Sequence, residues 1–354
     1  MPVHSSSVRL MRSFIRVIQV LAVGVGLSLA AASAPLAQQL VPAKLTTGFV
    51  FTGGSTAPLL YAEKHGYFAQ GGVLIDIVRG FGSADVVAKV AAGTYEVGTG
   101  YLPELLRAKA ENPDLDAIAV AISYDSGPDG LVGLTKSGMT KPQDIAGKRI
   151  AAQPGNTSQL TFPIFAKAMG IDPASVKWVT VGFPLIAVTV QQGNADLAAG
   201  FVSTSIASFE KLGFPADQIV PFSYSDYIEH LYGNALIMRK SWMQKHPDAA
   251  KGLVAAYVKG LIETRSHADE AMNLLMEREP LLNKAAETQD LAYSLKRYYF
   301  TDRVLKYGFG YQTKADIDMF IKQLAGPLQL KRIPAADEIY TDALLPPADE
   351  RKVP

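Results

Sequence analysis

Short runs of β-branched and apolar residues alternate with stretches of helical spacing through the first two thirds of the chain. Residues 44–51, 73–78, 96–100 and 117–122 read as strands, with helices after the first three. The same rhythm resumes at 149–152, 177–181, 196–201 and 219–222. Strands separated by helices predict parallel sheets covered on both faces. Beyond Lys240 the pattern becomes almost wholly helical, with apolar positions at helical spacing through 249–262, 268–276, 289–299 and 314–324. Pro247 stands near the start of one such helix and Pro280 follows another, the expected punctuation.

Two blocks of this pattern resemble each other. Residues 78–101 and 180–201 both run strand, Gly-Phe turn, helix, Gly, acidic residue, strand, Gly, aromatic. Gly80-Phe81 matches Gly182-Phe183, Gly93 matches Gly193, Glu96 matches Asp196, and Gly100-Tyr101 matches Gly200-Phe201. The repeated order predicts two similar α/β lobes. Between them lies S-Y-D-S-G-P-D-G-L at 123–131, a turn-rich connection in which Asp125 and Asp129 read as turn formers. A second crossing at 224–234 leads into the apolar run 235–238. Two crossings let the helical tail pack back on the first lobe and create a hinge beside a cleft.

The N-terminus departs from this pattern. Arg9, Arg12 and Arg16 precede an uncharged apolar stretch at 17–32, followed by small residues and Pro35. That sequence of features predicts a secretory signal peptide over 1–37, cleaved after Ala37; a membrane anchor over 17–37 is the alternative. The chain of 354 residues has no cysteine, so disulfides, thiolate metal sites and cysteine nucleophiles are all excluded. A formal net charge of +1, with no run of like charges, gives no footprint for a nucleic-acid partner. The expectation is an exported, soluble, periplasmic protein.

Catalytic motifs are wanting. Ser55 follows Gly53-Gly54 but lacks the second flanking glycine of a nucleophile elbow, and the five histidines (His4, His65, His230, His246, His267) lack metal-ligand spacing. Gly147-Lys148 fails as a phosphate loop, and Pro103 stands where a dinucleotide loop needs its third glycine. No metal, cofactor or catalytic residue is therefore predicted. Polar, Gly-rich loops at the carboxyl ends of strands remain, and in parallel sheets that edge binds ligands beside helix N-termini. From these loops the candidate ligand-binding residues are Phe51, Thr52, Ser55, Thr56, Gly82, Ser83, Tyr101, Tyr124 and Asp125. Gln153, Asn156, Thr157, Ser158, Phe183, Phe201 and Ser203 complete the set from the second half. The bland reading stands beside each: hydroxyls before a helix as caps, and aromatics as core or lobe-face residues. Arg79 is the one arginine near these loops.

Residues 57–98, 144–151 (D-I-A-G-K-R-I-A) and 235–250 (A-L-I-M-R-K-S-W-M-Q-K-H-P-D-A-A) resemble the nitrate/taurine/alkanesulfonate substrate-binding proteins of ABC importers. That NMT1/THI5-like group also includes relatives of the thiamine-pyrimidine synthesis proteins. The resemblance implies an α/β, two-lobed type II periplasmic binding protein fold. One lobe would hold 41–122 plus 234–330 and the other 131–223, joined by hinge connections at 123–130 and 224–233, with 331–354 a C-terminal extension. It further implies a non-enzymatic monomer that captures a small solute by lobe closure and delivers it to a membrane permease. Loops 52–56, 80–83 and 155–158 fall where such families contact ligand. Their aromatic character and scarcity of arginine suit a planar organic solute, such as an aromatic carboxylate or a pyrimidine-type compound, better than a compact inorganic anion. A cytoplasmic pyrimidine-synthase enzyme and a ligand sensor for a membrane receptor are the alternatives.

Overall fold

The computed structural model describes residues 39–48 and 51–353; the expected leader 1–37 lies outside them. Among the described residues, ten strands form two five-stranded sheets. The first contains β1 (Val41–Thr46), β2 (Val73–Val78), β3 (Val97–Tyr101) and β4 (Ile118–Ile122). The second contains β5 (Asp129–Leu134), β6 (Arg149–Ala152), β7 (Lys177–Thr180), β8 (Leu197–Phe201) and β9 (Ile219–Ser223). The tenth strand, β10 (Asn234–Met238), returns to the first sheet. The orders are β2-β1-β3-β10-β4 and β7-β6-β8-β5-β9, the same arrangement used twice.

The sheets are mixed, where an all-parallel arrangement was expected. β10 runs antiparallel to β3 and β4, and β5 antiparallel to β8 and β9. These two strands are entered straight from a crossing. No helix first carries the chain back to the opposite end of the sheet, so each runs in reverse. Asp129 is accordingly the first residue of β5 and not a turn former. The first strand also begins and ends earlier than expected, at Val41–Thr46.

Burial explains the strand sequences. Every residue of β3, β4 and β5 is buried, and these central strands read as short apolar or small-residue runs. The edge strand β2 alternates instead: Val73 and Ile77 point inward, while Leu74 is 60% exposed. Helix Pro247–Thr264 packs on helix Gly53–Lys64 with Leu253, Val254 and Leu261 in the core, so the tail belongs to the first lobe. A second cluster joins Val86, Leu102 and Ile237 to Leu131, Ile150 and Phe162, giving the lobes shared apolar packing. The last segment covers the open edge of β4: Thr341 N–H donates to the Ala119 carbonyl at 3.0 Å, and Ile339 is fully buried. No helix among the described residues is long and apolar enough to cross a membrane.

Candidate functional site

The carboxyl ends of the parallel strands in both sheets lead directly into helices. β1, β2 and β3 precede helices Gly53–Lys64, Ser83–Ala91 and Leu102–Glu111; β6 and β8 precede Thr157–Ala168 and Val202–Lys211. Their N-termini carry backbone N–H groups that the helices cannot satisfy. The two chain crossings connect these same ends of the sheets, so the helix starts of both lobes gather on the side of the crossings.

There the Tyr101 hydroxyl, from the last residue of β3, donates to the Asp129 carboxylate, from the first residue of β5. Thr157 and Ser158 donate to the same carboxylate at 2.8 Å each, and Thr161 at 3.3 Å. Asp129 is fully buried; burial pushes its pKa up, and these hydroxyls pull it back. Asn156 caps the Thr157–Ala168 helix through the Gln159 N–H at 3.2 Å, and its amide nitrogen donates to the Ala199 carbonyl at 3.2 Å. The Tyr101 and Phe201 rings, equivalent residues of the repeat, lie 5.8 Å apart across the lobes.

One side is built by the C-terminal segment. Helix Lys284–Ser294 ends in a π-helical turn, Leu295–Tyr299, where a single helix over 289–299 was expected. The turn sets two adjacent tyrosines against opposite lobes. Tyr298 accepts from the Ser203 N–H at 3.3 Å, while Tyr299 donates to the Gly54 carbonyl at 2.7 Å. That carbonyl is free because Pro58, four residues on, has no N–H to offer it. Tyr124 packs between them, 4.9 Å and 4.8 Å from the two rings.

The same segment occupies the start of helix Gly53–Lys64. Gly53 N–H donates to Glu287 Oε2 at 2.9 Å and Gly54 N–H to Asp290 Oδ2 at 2.8 Å. The glycines permit this approach: a Cβ on Gly53 would run into the Glu287 carbonyl, and one on Gly54 into the Ser294 hydroxyl. Burial raises the pKa of both carboxylates. For Asp290 the opposing influences are the Gly54 N–H and then the Ser203 and Thr52 hydroxyls. Outside Asp290 runs a groove of about 300 Å³ between helices Val202–Lys211 and Lys284–Ser294, lined by Ser203, Ile206, Ala207, Glu210, Ala292 and Tyr293 among others. Glu210 Oε2 is buried there without a hydrogen-bond partner.

Of the residues singled out in the sequence, Thr52, Ser55, Thr56, Tyr101, Asn156, Thr157, Ser158, Phe201 and Ser203 lie at these strand ends and helix starts. Thr52 caps its helix through the Ser55 N–H at 3.3 Å, and its own N–H donates to Thr56 at 3.2 Å. Gly82, at φ 111°, and Ser83 open the next helix, and Gln153 is half-buried in the loop before Asn156. Phe51 sits elsewhere, in the first lobe's core between the guanidinium groups of Arg79 and Arg278 at 5.4 Å and 5.6 Å. Arg79 itself pairs with Glu279. Tyr124 and Asp125 belong to the first crossing between the sheets, where Asp125 accepts from Arg303, Thr301 and Gln312. Phe183 is 55% exposed. Sequence reasoning missed Asp129, Glu287, Asp290, Tyr298 and Tyr299. The Gly53-Gly54 pair was the one signal that something must approach that helix start closely.

The pattern described as NMT1/THI5 like matches residues 54–271, and the chain belongs to that family. It is 24% identical to 4-amino-5-hydroxymethyl-2-methylpyrimidine phosphate synthase of Legionella pneumophila, over 66% of this chain and 72% of that one. It is also 24% identical to the formylaminopyrimidine-binding protein of Halalkalibacterium halodurans, over 65% and 70%. The fold is similar to that of the periplasmic aliphatic sulphonate binding protein SsuA from Escherichia coli, with a TM-score of 0.66 at 15% identity over 86% of this chain and 94% of that one.

Proposed function

We propose that this member of the NMT1/THI5-like family is the periplasmic solute-binding component of an ABC importer, exported by cleavage after Ala37. It captures a small aromatic or heteroaromatic solute by lobe closure and delivers it, as a monomer, to the permease. The observation that carries this reading is the pairing of Tyr101 with Asp129. It ties two lobes of matching topology together at the base of a site bordered by helix N-termini, hydroxyls and aromatic rings. Such a site holds a planar solute by apolar burial and a few aimed hydrogen bonds. The formylaminopyrimidine-binding relative and the sulphonate-binding neighbour support a capture role.

The second reading is an enzyme, favoured by the Legionella synthase relative. Against it stand the signal-like pattern of residues 1–37 and a chain without cysteine, which deprives the site of thiol chemistry. A thermal-shift screen of the protein from Gln38 against aromatic acids, sulfonates, nitrate, polyamines and pyrimidines separates the two. A solute that binds the folded state alone raises the melting point with concentration. Capture predicts such a shift with one class and no turnover. Conversion of a pyrimidine precursor in place of a shift sinks the transport reading.

A further inference from the structure

From the geometry around Gly54 we infer that Asp290 is a specificity-determining residue of the inter-lobe site: its carboxylate fills, from within the chain, the place a compact anion would take. This inference rests on reading the cleft as a solute site. A helix start with unsatisfied N–H groups attracts anions, through the N–H groups themselves and through the positive end of the helix dipole. In this protein the Gly53 and Gly54 donors are both committed, at 2.9 Å and 2.8 Å, to Glu287 and Asp290. Two glycines in succession let the acidic helix come this close. Asp290 is only 8% exposed; burial raises its pKa, and the Gly54 N–H and the Ser203 and Thr52 hydroxyls, these two from opposite lobes, oppose that rise.

The consequence is a reversal of polarity. A nitrate, carboxylate or sulfonate arriving at this helix start would meet two carboxylates at a position whose donors are already taken. Each carboxylate in its ionised form repels such a ligand, the more so where burial lowers the effective dielectric. Hydrogen-bond acceptors, not donors, are what the first lobe offers here. In the adjoining groove the unpartnered Glu210 oxygen adds a third acceptor on the side of the second lobe. Two cations stand nearby: Lys296 lines the same groove, and Lys211, 47% exposed, lies 4.0 Å from Glu287.

The test is anion rescue. Asp290→Ala empties a carboxylate-sized space above the Gly54 N–H, and Asp290→Ser empties part of it should the alanine variant fold poorly. Wild type and variants are melted in formate, nitrate and methanesulfonate at matched ionic strength. The inference expects saturable stabilisation of a vacated variant by formate or nitrate at concentrations at least about tenfold below any that affect wild type. A general loss of packing would not be repaired selectively by small anions. The inference is overturned if neither variant responds more than wild type, or if wild type itself is stabilised saturably by these anions. Failure of the import reading shows separately, as an absence of any solute shift for wild type in the wider screen.

Discussion

The Tyr299 hydroxyl donates to the Gly54 carbonyl at 2.7 Å, at the point where Pro58 leaves that carbonyl without its helical partner. The proline in one helix and the tyrosine at the end of another, more than two hundred residues on, are a matched pair. Removing the hydroxyl by Tyr299→Phe strands a buried carbonyl and should cost about 1–3 kcal/mol. In a Pro58→Ala background the restored N–H can reach the same carbonyl, so the cost of Tyr299→Phe should fall by about 0.5–2 kcal/mol. Urea unfolding of the four proteins gives the coupling directly. Additive effects would mean that the proline and the tyrosine are independent.

The Tyr101–Asp129 bond makes a comparable prediction where the two sheets meet. Tyr101→Phe leaves Asp129 with the Thr157, Ser158 and Thr161 hydroxyls, and should destabilise by about 1–3 kcal/mol. Asp129→Ala should cost more, since it strands buried hydroxyls from both lobes and removes the group they surround. Chemical denaturation monitored by tyrosine fluorescence checks the order of the two variants.

In the first crossing between the sheets, Asp125 is 9% exposed and is held by Arg303, Thr301 and Gln312, while Arg303 also lies 3.6 Å from Asp316. The partners are therefore unequal. Arg303→Met leaves a buried carboxylate with two neutral donors and should cost about 3–5 kcal/mol. Asp125→Asn leaves the arginine with Asp316 and should cost less. The reverse order in thermal unfolding would show that Arg303 depends on Asp125 more than Asp125 depends on Arg303.

What could be read from the chain alone followed from periodicity. Alternating strands and helices, the matched Gly-Phe turns and the two crossings describe the two-lobed α/β fold, because each is a local pattern repeated in order. β5 escaped notice because it opens with Asp129-Gly130, residues that read as a turn when their burial is unseen. Its reversed direction follows from the crossing, a tertiary fact. Thr157 and Ser158 were legible as helix-start hydroxyls, but the carboxylate they serve was not. Asp290 was invisible for a different reason. On a helix with many polar residues an aspartate reads as solvent-facing, and only the approach of Gly53 and Gly54 from elsewhere in the chain turns it inward.

Three buried carboxylates, Asp129, Glu287 and Asp290, have pKa values raised chiefly by burial. Unfolded, the two aspartates titrate near 3.8 and the glutamate near 4.5. Above those values, and up to the raised ones, the folded state binds more protons than the unfolded state. The contribution of these groups is thus fully present below the unfolded values and is lost as pH rises through the folded ones. Asp196, Asp316 and Glu338 act in the opposite sense, being held below the ordinary range, so the total profile mixes both. Comparison with Asp290→Asn isolates one group. Relative to that variant, wild type should lose stability as pH rises above about 4 and through the raised folded-state value, with a slope of no more than about 1.4 kcal/mol per pH unit. Urea midpoints taken across this range measure it. A difference that stays flat would show no net shift at Asp290, and one that grows in favour of wild type as pH rises would place it among the carboxylates stabilised in their charged form.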